Sequence, residues 1–225
     1  MRIFIRLCRS VVVVLAACTP LIACALSGGP IEGQVIDERT RKPIVGAVVV
    51  ARWQGHLASF AHGKTVCYHV LSTTTDRMGR YRFAAWKEDV TEDWQKNIRQ
   101  EDVLIVAYKS GFEWSGVFSE RGDVQYLRPF TGGREERFKY LDRVVSGTSC
   151  GSARTSYKNL YPIRLAVYQE AKAIAHSGSE MKRAESFKEL AEDTLVDRTK
   201  PTKYDERGRL INVDPRDTFR AEDLK

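Results

Sequence analysis

Ile31-Glu-Gly-Gln-Val-Ile36, followed by Asp37-Glu-Arg-Thr-Arg-Lys-Pro43 and then Gly46-Ala-Val-Val-Val-Ala-Arg-Trp53, is the stretch whose reading decides the fold. Two short runs rich in Val and Ile flank a polar turn closed by Pro43, which is the pattern of a β-hairpin. Further on, Leu71-Ser-Thr-Thr-Thr75 passes through Asp76-Arg-Met-Gly79 into Arg80-Tyr-Arg-Phe83, a second strand, tight turn and strand. Gly79 falls where such a turn takes positive φ, a region in which a side chain is strained.

Working outward, His56 to Cys67 holds Gly63 and shows no clear period, so most of it reads as loop. Lys87 to Glu101 is strongly polar with Trp94 and Ile98 four apart, which suits a short amphipathic helix. Val103-Leu-Ile-Val-Ala-Tyr108 is a continuous apolar run of strand length, expected at the centre of the core. Phe112 to Phe118 supplies another strand. Arg128-Pro129 and Thr131-Gly-Gly133 interrupt the pattern as an irregular connection, and Glu136 to Val145 is expected to close the sheet structure. Beyond it, Leu165, Tyr168, Ala171 and Ala175 recur at helical spacing behind Tyr161-Pro162, where proline is tolerated in a first turn. Ser177-Gly-Ser-Glu180 fits a capping box ahead of a second helix, Met181 to Val196, with Ala184, Phe187, Leu190 and Leu195 as its stripe. From Asp197 the chain is mostly charged and reads as a polar tail.

At four places the chain resembles a known family, the carboxypeptidase regulatory-like domain. These are Gly33-Gln-Val-Ile-Asp37, Lys42-Pro-Ile-Val-Gly-Ala47, Thr75-Asp-Arg-Met-Gly-Arg-Tyr-Arg-Phe83 and Val106-Ala-Tyr-Lys-Ser-Gly-Phe112. The resemblance implies a mainly β fold, a small transthyretin-like sandwich of about seven strands. It also implies a non-catalytic module attached to enzymes, receptors or surface proteins. Peptidase activity is not implied, because the zinc and catalytic residues of those peptidases lie in a different domain.

The amino-terminal residues describe an address. Arg2, Arg6 and Arg9 precede the apolar run Val11-Val-Val-Val-Leu-Ala-Ala17, with small residues before a cysteine, as in an export signal. The apolar run, interrupted by Thr19-Pro20, is short of the ~20 residues of a membrane span. Leu15-Ala-Ala-Cys18 and Leu21-Ile-Ala-Cys24 both resemble the bacterial lipobox, whose cysteine becomes a lipid-modified amino terminus. Cys24 is preferred, because processing at Cys18 would leave an apolar end with an unpaired thiol. Cleavage after Ala25 would instead release a soluble product. Losing the three leader arginines takes the formal charge from +7 to +4, a modest excess, with acids mixed throughout, that argues only weakly for nucleic acid or anionic lipid as a partner, and no nucleic acid is expected. Residue 25 is not the aspartate of inner-membrane lipoproteins, which favours the periplasmic face of the outer membrane.

The expected organisation is therefore a signal peptide at 1–23, a lipid-anchored tether at 24–30, a β-sandwich at 31–150, a helical extension at 151–196 and a tail at 197–225. Export also bears on Cys67 and Cys150, which are expected to pair as a disulfide in an oxidising compartment.

Few residues point to chemistry. His56, His62, Cys67 and His69 offer ligands suited to zinc or copper, but their spacing matches no standard metal motif, so no cofactor is expected. No Gly-x-Ser-x-Gly elbow occurs, and Arg121-Gly-Asp123 reads as a turn. Trp53, Trp86, Trp94 and Trp114 are of the type that stacks on sugar rings or on a protein partner, or else fills a core. The expected function is a non-catalytic envelope lipoprotein whose sandwich binds or scaffolds, with an envelope protein or carbohydrate as partner. The alternatives are a metal-binding protein or small enzyme built on His56 to His69, or a lipoprotein component of a secretion machine.

Overall fold

The computed structural model describes residues 25–57, 64–90, 93–115, 124–199, 203–204, 210–211 and 219–220. In chain order its main elements are β1 (Ala25–Gly28), β2 (Ile31–Asp37), β3 (Val48–Leu57), β4 (Lys64–Thr74), β5 (Arg80–Phe83), β6 (Trp86–Asp89), β7 (Ile98–Tyr108), β8 (Phe112–Trp114) and β9 (Val124–Pro129). The helices α1 (Arg134–Thr148), α2 (Tyr161–Ile174) and α3 (Gly178–Asp193) follow. The chain is mainly β, with a C-terminal helical part.

β3 dictates the layering. Its run Val48-Val-Val-Ala-Arg-Trp53 is apolar on both faces, and a strand of that kind needs cover on both sides. It lies at the centre of a three-stranded sheet, β4-β3-β7. Val49, Ala51 and Trp53 point into one core, shared with Val35, Tyr81, Phe83 and Leu127 of the four-stranded sheet β5-β2-β9-β8. Val48 and Val50 point the other way, into a second core made with Phe138, Leu141, Val144, Leu160, Ile163 and Val167 of the helical part. Three layers result: sheet, sheet and helices. Each fully buried aliphatic or aromatic side chain contributes about 1.5–3 kcal/mol, so the helices are as integral as the strands.

Both expected hairpins are sheet crossings. β2 pairs antiparallel with β5 and parallel with β9, whereas β3 pairs with β4 and β7. One bridge, Ile36 to Pro43, marks the turn between β2 and β3, and Gly46 leaves that turn at φ 65°. Thr75 fixes the second crossing, from β4 to β5. Its Oγ1 accepts from the Ala47 amide at 2.8 Å and donates to the Ile44 carbonyl at 2.7 Å. Gly79 has φ 68°, and a Cβ there would lie 2.6 Å from the Val35 carbonyl.

Other expectations are corrected as follows. Ser27–Pro30 is no free tether, because β1 pairs with β6 from Ala25↔Asp89 to Gly28↔Trp86 and Leu26 is buried. The polar stretch after Phe83 gives strand β6, a 3-10 turn at Asp93–Asn97 and the start of β7 in place of a helix. His56 and Lys64 to Cys67 lie in long paired strands, with a register shift at Trp53/Gln54. Val103 to Tyr108 is buried but lies at the sheet edge, which Trp114 covers by donating Nε1–H to the Ala107 carbonyl at 2.6 Å. Arg128-Pro129 belongs to β9, which runs parallel to β2.

The segment expected as a closing strand, Glu136 to Val145, is the body of α1. Phe138, Leu141 and Val144 recur every three residues and share one buried face, which a strand would split between two. The helical layer thus begins at Arg134, well ahead of residue 151. α2 starts with proline in its first turn. α3 has the full capping box, Ser177 accepting from the Glu180 amide and Glu180 accepting from the Ser177 amide. The buried stripe of α2 is Ile163, Val167 and Ala171, and Leu165 and Tyr168 sit half-buried on its flank. In α3, Ala184, Phe187 and Ala191 are buried and Leu190 faces out. The free edge of β4 is covered by side chains, since Ser156 Oγ accepts from the Val70 amide at 3.0 Å and Asn159 Nδ2 donates to the Val70 carbonyl at 2.9 Å.

Candidate functional site

Of the ligand set suggested by the sequence, the described members His56, Cys67 and His69 do not converge. His56 lies near the far end of β3, paired with Thr65, whose hydroxyl is 3.2 Å from its Nδ1. His69 pairs with Trp53, three residues back along β3, roughly 10 Å away at the rise of a strand. His62 lies outside the described residues, as do Cys18, Cys24 and Arg121 to Asp123. Cys67 is joined to Cys150, with Cα atoms 5.1 Å apart. Among the described residues, no three His, Cys, Asp or Glu side chains are grouped to hold a metal ion.

His69 has different company. Its ring stacks on Trp86 at 3.5 Å and 10°, and meets Trp53 edge-on at 5.5 Å. Nδ1 is 3.1 Å from Oε2 of Glu88. The carboxylate only accepts, so Nδ1 carries the proton in this contact. The other oxygen of Glu88 accepts from the hydroxyl of Thr155. His69 and Thr155 together hold the Glu88 carboxyl below its usual range, His69 having the larger effect and partial burial opposing it. Beside this chain is a cleft of about 90 Å³ lined by Tyr68, Gln95, Ser152, Arg154 and Thr199 as well as Glu88 and Thr155. Burial pushes the Tyr68 phenol up to about 12, so it stays protonated at neutral pH.

The arrangement is an acid–imidazole pair, but its geometry is that of a clamp. A general base must present its free nitrogen to substrate within hydrogen-bond reach. Nε2 of His69 is sealed from solvent with no partner among the described residues, and the ring is held between indoles. The cleft meets the carboxylate side of the pair. Glu88 fastens β6 to β4 through His69 and to the segment after the disulfide through Thr155. The indoles of Trp53, Trp86 and Trp114 are likewise committed to packing, and the side chain of Trp94 lies outside the described ones. Trp53 meets Trp86 at 5.3 Å and 80°, and Trp114 meets Tyr140 at 5.2 Å.

A second buried polar cluster had no counterpart in the sequence reading. Arg137 of α1 donates from Nε and Nη2 to the two oxygens of Glu170 in α2, both at 2.8 Å, and from Nη1 to the Phe112 carbonyl at 2.6 Å. Glu170 also accepts from the Tyr108 hydroxyl and from the Gly111 amide at 3.1 Å. Burial, with the Glu170 charge beside it, raises the Tyr108 phenol far above its ordinary value. The cluster is internally satisfied and joins two helices to the β7–β8 turn. Its sequence signal was an acidic residue, Glu170, inside the apolar stripe of α2 next to Ala171.

Comparison with known proteins found no matching family, no similar characterised protein and no similar solved structure.

Proposed function

We propose that this chain is an exported, lipid-anchored bacterial envelope protein whose β domain, of the transthyretin-like carboxypeptidase regulatory-like kind, serves as a binding or scaffolding module. The observation that carries the reading is the Cys67–Cys150 disulfide. It crosses from β4 to a position two residues past the end of α1, and Cys150 is fully buried. Such a bond persists in an oxidising compartment and not among cytosolic thiols, which agrees with the leader. The seven strands of the two main sheets, four facing three, are the number that the sequence resemblance implies.

The test is acylation. The full chain expressed in a bacterium with a labelled fatty acid should incorporate label and fractionate with membranes, and Cys24→Ser should abolish both. If Cys18→Ser abolishes them instead, the anchor is at Cys18. A mature protein beginning at Leu26, free of label, overturns the anchored reading.

A further inference from the structure

The pole of the domain farthest from β1 carries an outward-facing arrangement that the fold does not use. There the turn between β2 and β3 lies against the turn between β4 and β5. The Gly46 amide donates to the Thr75 carbonyl at 3.0 Å, and the Val35 amide to the Gly79 carbonyl at 2.8 Å. A Cβ on Gly79 would touch Pro43 at 3.0 Å. From these two adjoined turns project Val45, 50% exposed, and Met78, 54% exposed, the most exposed of the large apolar side chains described.

Around them cations outnumber acids, Arg39, Arg41, Lys42, Arg77 and Arg80 against Asp37, Glu38 and Asp76. Asp37 Oδ1 accepts from the Arg39 and Thr40 amides at 2.9 and 2.8 Å, and Asp76 Oδ1 accepts from the Met78 and Arg80 amides, both at 2.8 Å. Both aspartates are thus folded back onto their own turns. Arg39, Lys42, Arg77 and Arg80 are exposed, and among the described residues none of them forms an ion pair. Arg41 lies over the exposed ring of Tyr126 at 5.1 Å. Glu38 is the acid there whose carboxylate accepts no backbone hydrogen bond among the described residues, and Asp37 and Asp76 keep their charge within their turns.

We propose that this pole docks on an anionic lipid bilayer, with Val45 and Met78 entering the interface and the surrounding Arg and Lys side chains facing lipid phosphates. Apolar tips ringed by cations suit that boundary, where apolar burial and attraction to anionic headgroups add. Two isolated half-exposed side chains on turns suit a soft surface better than the packed, extensive core of a protein interface. The inference goes beyond the proposed function: the pole lies at the far end of β2 from β1, so a chain anchored at residue 24 turns it away from the bilayer that holds the anchor, and the surface it docks on is a second bilayer.

The chain from Ala25 onward, where the described fold begins, carries no acyl group and isolates the effect. It is expected to co-sediment with vesicles of phosphatidylglycerol and phosphatidylcholine in equal parts, and not with phosphatidylcholine alone. Lys42→Glu with Arg77→Glu should weaken binding at least tenfold, and added salt should weaken it as well. Val45→Ser with Met78→Ser should weaken it severalfold, and both pairs should leave the melting temperature in place. Soluble glycerol phosphate at the same headgroup concentration should not displace the protein. Failure to bind the anionic vesicles, binding indifferent to both pairs of substitutions, or displacement by glycerol phosphate each overturns the proposal. Because the protein tested has no anchor, loss of acylation at Cys24 leaves this result intact, and the converse also holds.

Discussion

Arg137 and Glu170 meet through two parallel hydrogen bonds of 2.8 Å, with side chains only 5% and 7% exposed. An ion pair this buried stabilises little relative to an apolar pair of equal volume, but losing one member strands the other. Arg137→Met or Glu170→Gln is therefore expected to cost about 3–5 kcal/mol in urea unfolding. The double substitution should cost clearly less than the sum, with a coupling of about 0.5–3 kcal/mol. It will not be neutral, because the Phe112 carbonyl loses its donor and the glutamine replacing Glu170 keeps a single accepting oxygen for the Tyr108 hydroxyl and the Gly111 amide. Additive losses would show that the pair does not act as a unit.

The disulfide gives a second prediction. Cys67 and Cys150 are 83 positions apart, and closing a loop of that length stabilises by at most about 4–5 kcal/mol on the chain-entropy argument. Cys67→Ala with Cys150→Ala should lower stability by up to that amount. Reductant should do the same to the native chain and nothing to the variant. Thiol titration of the denatured mature protein should find no free thiol before reduction.

Glu88 gives the pH dependence. Its carboxyl is held below the ordinary value of 4.5, first by His69 and then by Thr155. A carboxyl depressed in the folded state favours folding in full above its unfolded value. That contribution disappears as pH falls through the lower folded value. The melting temperature should thus fall on acidification from about pH 5 downward. Glu88→Gln should flatten this limb, and Thr155→Val should flatten it less. An unchanged acid limb in Glu88→Gln would remove Glu88 from the account.

Truncation separates what the helices do from what the tail does. Ending the chain after Ser156 removes Tyr157, Leu160, Ile163, Val167, Ala171, Ala184 and Phe187, all buried. It also exposes the Val70 carbonyl that Asn159 covers. That chain should fail to fold, judged by loss of near-ultraviolet circular dichroism. Ending after Thr199 removes the bond from the Phe219 amide to the Leu195 carbonyl at 2.7 Å and the Phe219 ring beside Lys158. This should lower the melting temperature by a few degrees at most, in line with about 1 kcal/mol for the single bond.

The strands were legible where β-branched residues cluster, as in Val48 to Val50, and the capping box was legible because Ser177 and Glu180 satisfy each other locally. Pairing was less so. Whether β3 joins β2 or β4 depends on which faces find cover, and the clue was that its run is apolar on both sides. α1 was misread because its buried residues are interleaved with Arg137, Lys139 and Asp142, so the three-residue step of Phe138, Leu141 and Val144 was diluted. The stripe of α2 was read onto its flank, at Leu165 and Tyr168, because Arg164 and Glu170 hide the true face. His69 stood out by residue type, but its partner Glu88 lies 19 positions on, and Thr155, the other partner of Glu88, a further 67. No local pattern relates residues at such a distance.

The placement of β1 also has a mechanical consequence. A pull applied at residue 25, away from the body, runs along a strand whose pairs with β6 extend from Ala25↔Asp89 to Gly28↔Trp86. These hydrogen bonds are then loaded side by side in shear and do not open one at a time. Leu26 is buried beneath them, and Gly28 lies so close to the indoles of Trp53 and Trp86 that a Cβ there would come within 2.1 and 2.6 Å of their Nε1 atoms. A chain tethered by Cys24 would have no slack between tether and ladder, so drag on the domain would reach these bonds directly and its orientation would be set at the point of attachment.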